Sequence, residues 1–301
     1  MKHWTTFGVI LLVAAIAVFM VQHDGVETRV SPAPILYFVA DTEQELMRVP
    51  VTLTRLSDQE EIQIGNEMAE AATSRFSASD TPESQPVAAY VSSVGSKVAQ
   101  HAQRILPYRF HYIPDDRFIN AFALPGGHVF IGKGLLNLMR TEDELASVLG
   151  HELEHIDLRH CVERVQIQTQ ARQIPLGSVA MIPIELFEAG YRKQQELDAD
   201  RAGTVLAVSA GYSPQGAIDM FQKFQQVQKA VEAPSEPNQR GAVELPIDLA
   251  NVVVVQTLQE YFRSHPANSE RIAQIERLIR MEHWPTNRPQ KPLQIAMQKP
   301  D

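Results

Sequence analysis

Residues 145–160 read LASVLGHELEHIDLRH, two histidines four positions apart with a glutamate just inside each. On an α-helix, positions i and i+4 lie about 40° apart and one turn along the axis, so His151 and His155 present both imidazoles to one point in space. Thr141 and Glu144, in TEDE, form a capping box that opens a helix directly ahead of the stretch. The stretch is therefore either an acidic helix face that carries imidazoles or a metal site of the H-E-x-x-H kind. Five residues arise by accident too often to decide between these, so the choice falls to the rest of the chain.

Close by, no rival set of ligands forms. A third ligand six residues after His155 would need a glycine turn midway, but Leu158 stands there and Cys161 occupies the ligand position. On a continuing helix Cys161 points about 240° away from His155, and His160 lies about 180° from His151, so neither is expected on the same metal. Further on, QQELDADRAG repeats the i, i+4 spacing with Glu196 and Asp200. Glu196 can complete a His₂Glu set with one position open, the arrangement of catalytic zinc, and Asp200 can hold a ligand histidine through its second ring nitrogen. Glu152 and Glu154 fall about 80° to either side of the ligand face, so helical geometry does not choose between them as a base.

HELEH and ELDAD, with NAFALPGGHVFIGKGLL upstream and SHPANSERI downstream, resemble the M48 peptidase family from roughly Ser57 to Met281. The resemblance implies a zincin-like metallopeptidase domain of the gluzincin type. It implies one Zn²⁺ held by His151, His155 and Glu196, Glu152 as general base and Asp200 behind a ligand. It also makes Asn120, Ala121, Phe122 and Ala123 an edge strand on which protein or peptide substrates lie extended. Backbone pairing of that sort predicts broad specificity. For the oxyanion donor, His265 in SHP is the first candidate and Arg271 the second; His265 could instead approach the metal as a resting fourth ligand. The usual Ser-Arg pair ahead of the third ligand reads here as Arg192-Lys193. The implied role is hydrolysis of unfolded or misassembled envelope proteins, a form of quality control. The rival is a zinc-binding periplasmic chaperone or assembly factor with little proteolytic turnover.

The chain has 301 residues and a formal net charge of −9, with a pI near 5.6, which argues against a nucleic-acid partner. Its one cysteine, Cys161, excludes an intramolecular disulfide and reads as a small buried filler. The segment MKHWTTFGVILLVAAIAVFMVQHDG carries no formal charge from Trp4 to Gln22, at the short end of what spans a bilayer. It lacks an A-x-A end, so an uncleaved anchor in the bacterial cytoplasmic membrane, with the catalytic domain facing the periplasm, fits better than a cleaved signal peptide and a soluble periplasmic product.

The expected organisation is an anchor at 1–23, a short β-rich connection at 24–56, the catalytic domain at 57–282 and a disordered proline-rich tail at 283–301. The fold class is mainly α with a small antiparallel β-sheet (α+β) around Pro125-Gly126-Gly127, with His128 on a strand surface. Helices are expected behind Ser57 and Glu60, from Thr81-Pro82 to about Arg104, from Arg192 to Ala210, behind Ser213-Pro214, from about Ala250 to Ser264, and from about Asn268 to Met281. The apolar segment from Ala171 to Tyr191, broken by Pro175, Gly177 and Pro183, is either packed loop or a lid.

Overall fold

The computed structural model describes residues 56–76, 81–172, 182–188, 190–232 and 269–294. The expected anchor at 1–23, most of the connection at 24–56, the helix near 250–264 and His265 lie outside the described residues. No described helix is long and apolar enough to cross a membrane.

Helix α1, Asp58–Phe76, starts where Glu60 Oε2 accepts the Ser57 backbone N–H at 2.8 Å and Ser57 Oγ accepts the Glu60 N–H at 3.2 Å. A 3₁₀ turn at Pro82–Ser84 leads into α2, Gln85–Ala99. Strands β1 (Arg109–Ile113), β2 (Ala121–Leu124) and β3 (His128–Gly132) follow. β2 and β3 form an antiparallel pair through a turn in which Gly126 (φ 76°) and Gly127 (φ 107°) take the left-handed conformation that glycine permits.

The sheet is mixed rather than antiparallel. Its order is β1-β3-β2, and β1 runs parallel to β3, with Arg109 opposite His128 and Ile113 opposite Gly132. The reason is non-local: β1 does not turn back on β2, so β3 inserts between them and meets β1 in the same direction. His128 is buried rather than on the surface, at 2% exposure. The sheet face is closed by Phe122 stacked on Phe130, centroids 4.9 Å apart.

A single turn, α3 (Lys133–Leu136), precedes the central helix α4, Glu142–Asp157. Thr141 Oγ1 accepts the Glu144 N–H at 3.2 Å, and Glu144 Oε2 accepts the Thr141 N–H at 3.2 Å, as the capping box requires. Leu145, Leu149, Leu153 and Ile156 are fully buried, so α4 runs through the core. It ends because Arg159 turns left-handed, φ 64°, and α5, His160–Arg172, starts afresh in a new direction. After the single turn α6, Glu185–Glu188, come α7 (Lys193–Ser209), α8 (Gln215–Glu232) and α9 (Ser269–Met281). Gly211 (φ 86°) breaks the chain between α7 and α8.

Helix α7 packs on α4 at a glycine pair. A Cβ on Gly150 would stand 2.7 Å from the Gly203 carbonyl oxygen, and one on Gly203 would stand 2.6 Å from the His151 amide nitrogen. The two backbones meet without side chains between them. Residues 283–294 correct the expectation of a disordered tail: Trp284 and Leu293 pack against the core, and Pro292 bridges to Thr141. Backbone pairing, which composition does not display, holds this stretch.

Candidate metal centre

His151 and His155 stand one turn apart on α4 with their rings nearly perpendicular, at 83°. Their Nε2 atoms are 3.2 Å apart. The close crossing at Gly150 and Gly203 brings the start of α7 to the same point. There Glu196 Oε2 lies 3.4 Å from His151 Nε2, and Oε1 lies 3.6 Å from His155 Nε2. Ligands about 2.0–2.1 Å from a tetrahedral centre sit about 3.3–3.4 Å from one another; here each imidazole meets a different oxygen of the Glu196 carboxylate near that distance, and one ligand atom from each of the three residues lies within 4.8 Å of the other two. The two nitrogens and one carboxylate fit a single divalent ion.

The other ring nitrogens are also held. His151 Nδ1 lies 2.8 Å from Asp200 Oδ1. Asp200 in turn receives Arg271, Nε to Oδ2 at 2.5 Å and Nη2 to Oδ1 at 2.6 Å. Burial alone would raise the Asp200 carboxyl, but Arg271 and His151 hold it below its usual range. Burial works against a charged His151, yet the Asp200 and Glu196 carboxylates outweigh it and push its pKa up to about 10. Arg271, the second candidate for oxyanion donor, is thus turned onto Asp200, with its guanidinium 4.6 Å from the Phe221 ring centroid.

Around His155 the surroundings differ. Its Nδ1 is 2.9 Å from Nδ1 of His160, brought there because the chain breaks at Arg159 instead of continuing as the helix on which His160 would face away. Burial pushes the His160 pKa down to about 4. The Tyr191 ring stacks on His155, centroids 4.0 Å apart, and the Tyr191 N–H donates to Glu196 Oε1 at 3.0 Å. Arg164 lies 3.9 Å over Tyr191 and donates to the Leu186 and Gly190 carbonyls, fastening the loop that carries it. Neither His160 nor Tyr191 was singled out by spacing as part of the site. The arginine–histidine pair after HELEH is the one local signal for His160, and it is a faint one.

Glu152 and Glu154, equivalent on the helical wheel, part company in the fold. Glu152 lines a cleft with His151, walled by Val148, Met220, Phe221 and Phe224. Glu154 is buried beside Asp157 and Arg201, and burial raises its pKa to about 8, with the Asp157 charge adding to the effect. Asn120 to Ala123 do reach the sheet edge, since β2 is an outer strand. The Gly132 N–H donates to Asn120 O at 2.9 Å, which turns the backbone groups of Ala121 and Ala123 outward. These are engaged within the chain: Asn120 Oδ1 accepts the Ala121 N–H at 2.9 Å, and buried Cys161 donates to Ala123 O at 3.6 Å. The Asn120 amide reaches Glu188 O of α6 at 3.4 Å. Arg192 caps the start of α7 and pairs with Glu163.

The family model of Peptidase family M48 matches residues 86–279. The chain is 27% identical over 169 residues to a beta-barrel assembly-enhancing protease of Yersinia pestis, covering 49% of this chain and 34% of that protein. It is 28% identical over 157 residues to the protein of the same name in Escherichia coli (strain K12), covering 45% of this chain and 32% of that one. With the mitochondrial metalloendopeptidase OMA1 of Schizosaccharomyces pombe it shares 30% identity over 154 residues, 48% of this chain and 45% of that one. The matched region thus spans less than half the length of each of these curated relatives.

Proposed function

The chain belongs to peptidase family M48, and from that premise we propose that it is a zinc-dependent metalloendopeptidase acting on unfolded or misassembled proteins of the cell envelope. The observation that carries the metal reading is the trio of separations among His151, His155 and Glu196, 3.2, 3.4 and 3.6 Å. Two imidazole nitrogens and one carboxylate gathered at this spacing suit zinc.

A metal bound there supplies Lewis acidity to a water and to the scissile carbonyl. Glu152, beside His151 in the cleft, takes the water's proton and passes it to the leaving amine. Asp200 fixes the His151 ring through Nδ1, and Arg271 fixes Asp200. His265 is the proposed donor to the oxyanion. A substrate chain pairs in extended form along Ala121 and Ala123, which asks the Asn120 amide and Cys161 to give up their present partners. The apolar wall of Val148, Met220, Phe221 and Phe224 receives an apolar side chain beside the cleaved bond. The role in envelope quality control is supported by the names of the relatives. The segment from Trp4 to Gln22 is proposed as a membrane anchor that leaves the catalytic domain on the periplasmic side.

The test is Glu152→Gln in the full chain. It should bind one zinc per chain as the wild type does and lose cleavage of casein by at least a hundredfold. Retention of wild-type cleavage would remove Glu152 from its role. A variant without cleavage that keeps full activity in the cell would favour a chaperone-like function over proteolysis.

A further inference from the structure

His151 and His155 are held from behind by chemically different groups. Behind His151 stands a carboxylate, Asp200, neutralised by Arg271. Behind His155 stands another imidazole, His160, with the two Nδ1 atoms 2.9 Å apart and both side chains buried. An imidazole that offers Nε2 to a metal carries its hydrogen on Nδ1, and in a buried setting that N–H needs an acceptor.

We propose that His160 is a positioning residue for the metal centre: its Nδ1 accepts the His155 Nδ1–H and so fixes the tautomer and orientation of that ligand. The inference rests on the reading of His151, His155 and Glu196 as a zinc site. The acceptor geometry requires His160 to carry its own hydrogen on Nε2. Its placement is specific. His160 is the first residue of α5, and it reaches His155 because Arg159 adopts φ 64° instead of prolonging α4. The Tyr191 ring, stacked at 4.0 Å on His155, restrains the same imidazole in the remaining direction.

The choice of an imidazole has an electrostatic reason. Glu152, Glu196 and Asp200 already place three buried carboxylates around the centre, with Arg271 3.5 Å from Glu196 and 2.5 Å from Asp200. Another buried carboxylate behind His155 would carry a further desolvation cost. A neutral ring nitrogen satisfies the Nδ1–H without adding charge.

The experiment compares His160→Asn and His160→Leu in the full chain. These side chains have nearly the same shape, but only asparagine carries an oxygen near the position of the histidine Nδ1. The readouts are the zinc dissociation constant of the metal-free protein and the visible absorption of the cobalt-loaded protein. His160→Leu should weaken zinc binding about 10–100-fold and alter the cobalt spectrum, while His160→Asn stays near the wild type. Equal weakening in both variants overturns the proposal, because the effect is then one of packing. Wild-type affinity in a folded His160→Leu protein also overturns it. Should His160→Leu fail to fold, a folded His160→Asn decides alone: near-wild-type affinity supports the proposal and a tenfold loss overturns it. Absence of stoichiometric zinc in the wild type overturns the metal reading itself, a different failure that shows before any variant is compared.

Discussion

Gly150 of α4 and Gly203 of α7 face each other backbone to backbone, so close that a Cβ on Gly203 would stand 2.6 Å from the His151 amide nitrogen. The contact lies one residue from His151 and three from Asp200. Gly203→Ala should push the helices apart, at a cost of about 1–3 kcal/mol from overpacking alone. Because Glu196 and Asp200 ride on the displaced helix, zinc affinity should fall at least tenfold as well. Thermal melting and zinc titration of the variant check both; an alanine accepted with unchanged affinity would mean that the crossing does not set the ligand spacing.

Asp200 separates two roles that a single substitution confuses. It holds His151 at 2.8 Å and neutralises a buried Arg271. Asp200→Asn should weaken zinc binding about 10–100-fold, and it should also destabilise the fold by about 3–5 kcal/mol by leaving that cation poorly compensated. Asp200→Asn with Arg271→Met removes the uncompensated charge, so the double variant should recover much of the stability while zinc binding stays weak. Joint recovery of both quantities would show that Asp200 acts through folding alone.

The parts of this architecture that were legible in the sequence are those set within one helix or one turn. The Thr141–Glu144 and Ser57–Glu60 boxes, the i, i+4 pairs and the Pro125–Gly127 turn depend on neighbours a few residues away, and each stands where its spacing put it. The pairing of β1 with β3 depends on which strand inserts between two others, which no local pattern records. Most consequential is the break after α4. A left-handed arginine has no side-chain signature of the kind glycine offers, so helical spacing carries His160 to the face opposite His151 and gives no sign that the break at Arg159 brings its ring to His155. Tyr191 reaches His155 only through a loop fastened by Arg164, a tertiary contact between residues far apart in sequence.

Acid should loosen the sheet through a histidine pair remote from the metal ligands. His111 Nε2 lies 3.0 Å from His128 Nδ1, His128 Nε2 lies 3.1 Å from Asn66 Oδ1, and His111 stacks on Phe130 at 4.3 Å. Burial pushes both pKa values from 6.5 down to about 4, with Arg109 nearby adding to the shift. The unfolded chain takes up protons below about pH 6.5 and the native pair only near 4, so the stabilisation is whole above 6.5 and is lost as pH falls between these values. Since one pKa unit corresponds to about 1.4 kcal/mol and the window below 6.5 spans about 1.5 units for each histidine, a loss on the order of 2–4 kcal/mol for the pair is expected between pH 7 and pH 5. Buried His160 titrates in the same direction and His151 in the opposite one. The diagnostic quantity is therefore the difference between wild type and His111→Phe in urea unfolding of the metal-free protein. The variant's stability should depend less steeply on pH in that window; parallel curves would exclude the pair as the source.

The stretch 290–293 acts as a staple on the start of α4. Lys291 O accepts the Glu142 N–H at 2.8 Å, satisfying one of the first-turn donors that a helix leaves without an internal partner. The Lys291 N–H donates to Asp143 Oδ2 at 2.7 Å, while Asp143 Oδ1 accepts the Ser213 N–H at 2.6 Å, so one carboxylate ties the staple to the start of α8. Gln290 reaches Asp219 at 2.6 Å, and the Leu293 N–H donates to Arg140 O at 3.0 Å. Ending the chain after Pro289 would remove all four contacts and the Leu293 packing at once. With each net hydrogen bond worth about 0.5–1.5 kcal/mol, and more for those to a charged group, the loss should be about 2–5 kcal/mol. Because His151 and His155 lie about two and a half and three and a half turns further along α4, the folded fraction of the truncated protein should still bind zinc, with a lowered melting temperature as the principal change. A truncated protein that melts with the wild type would show that residues 290–293 only rest on the surface, whereas one that stays folded and loses zinc would place the rigidity of the metal site at the helix start.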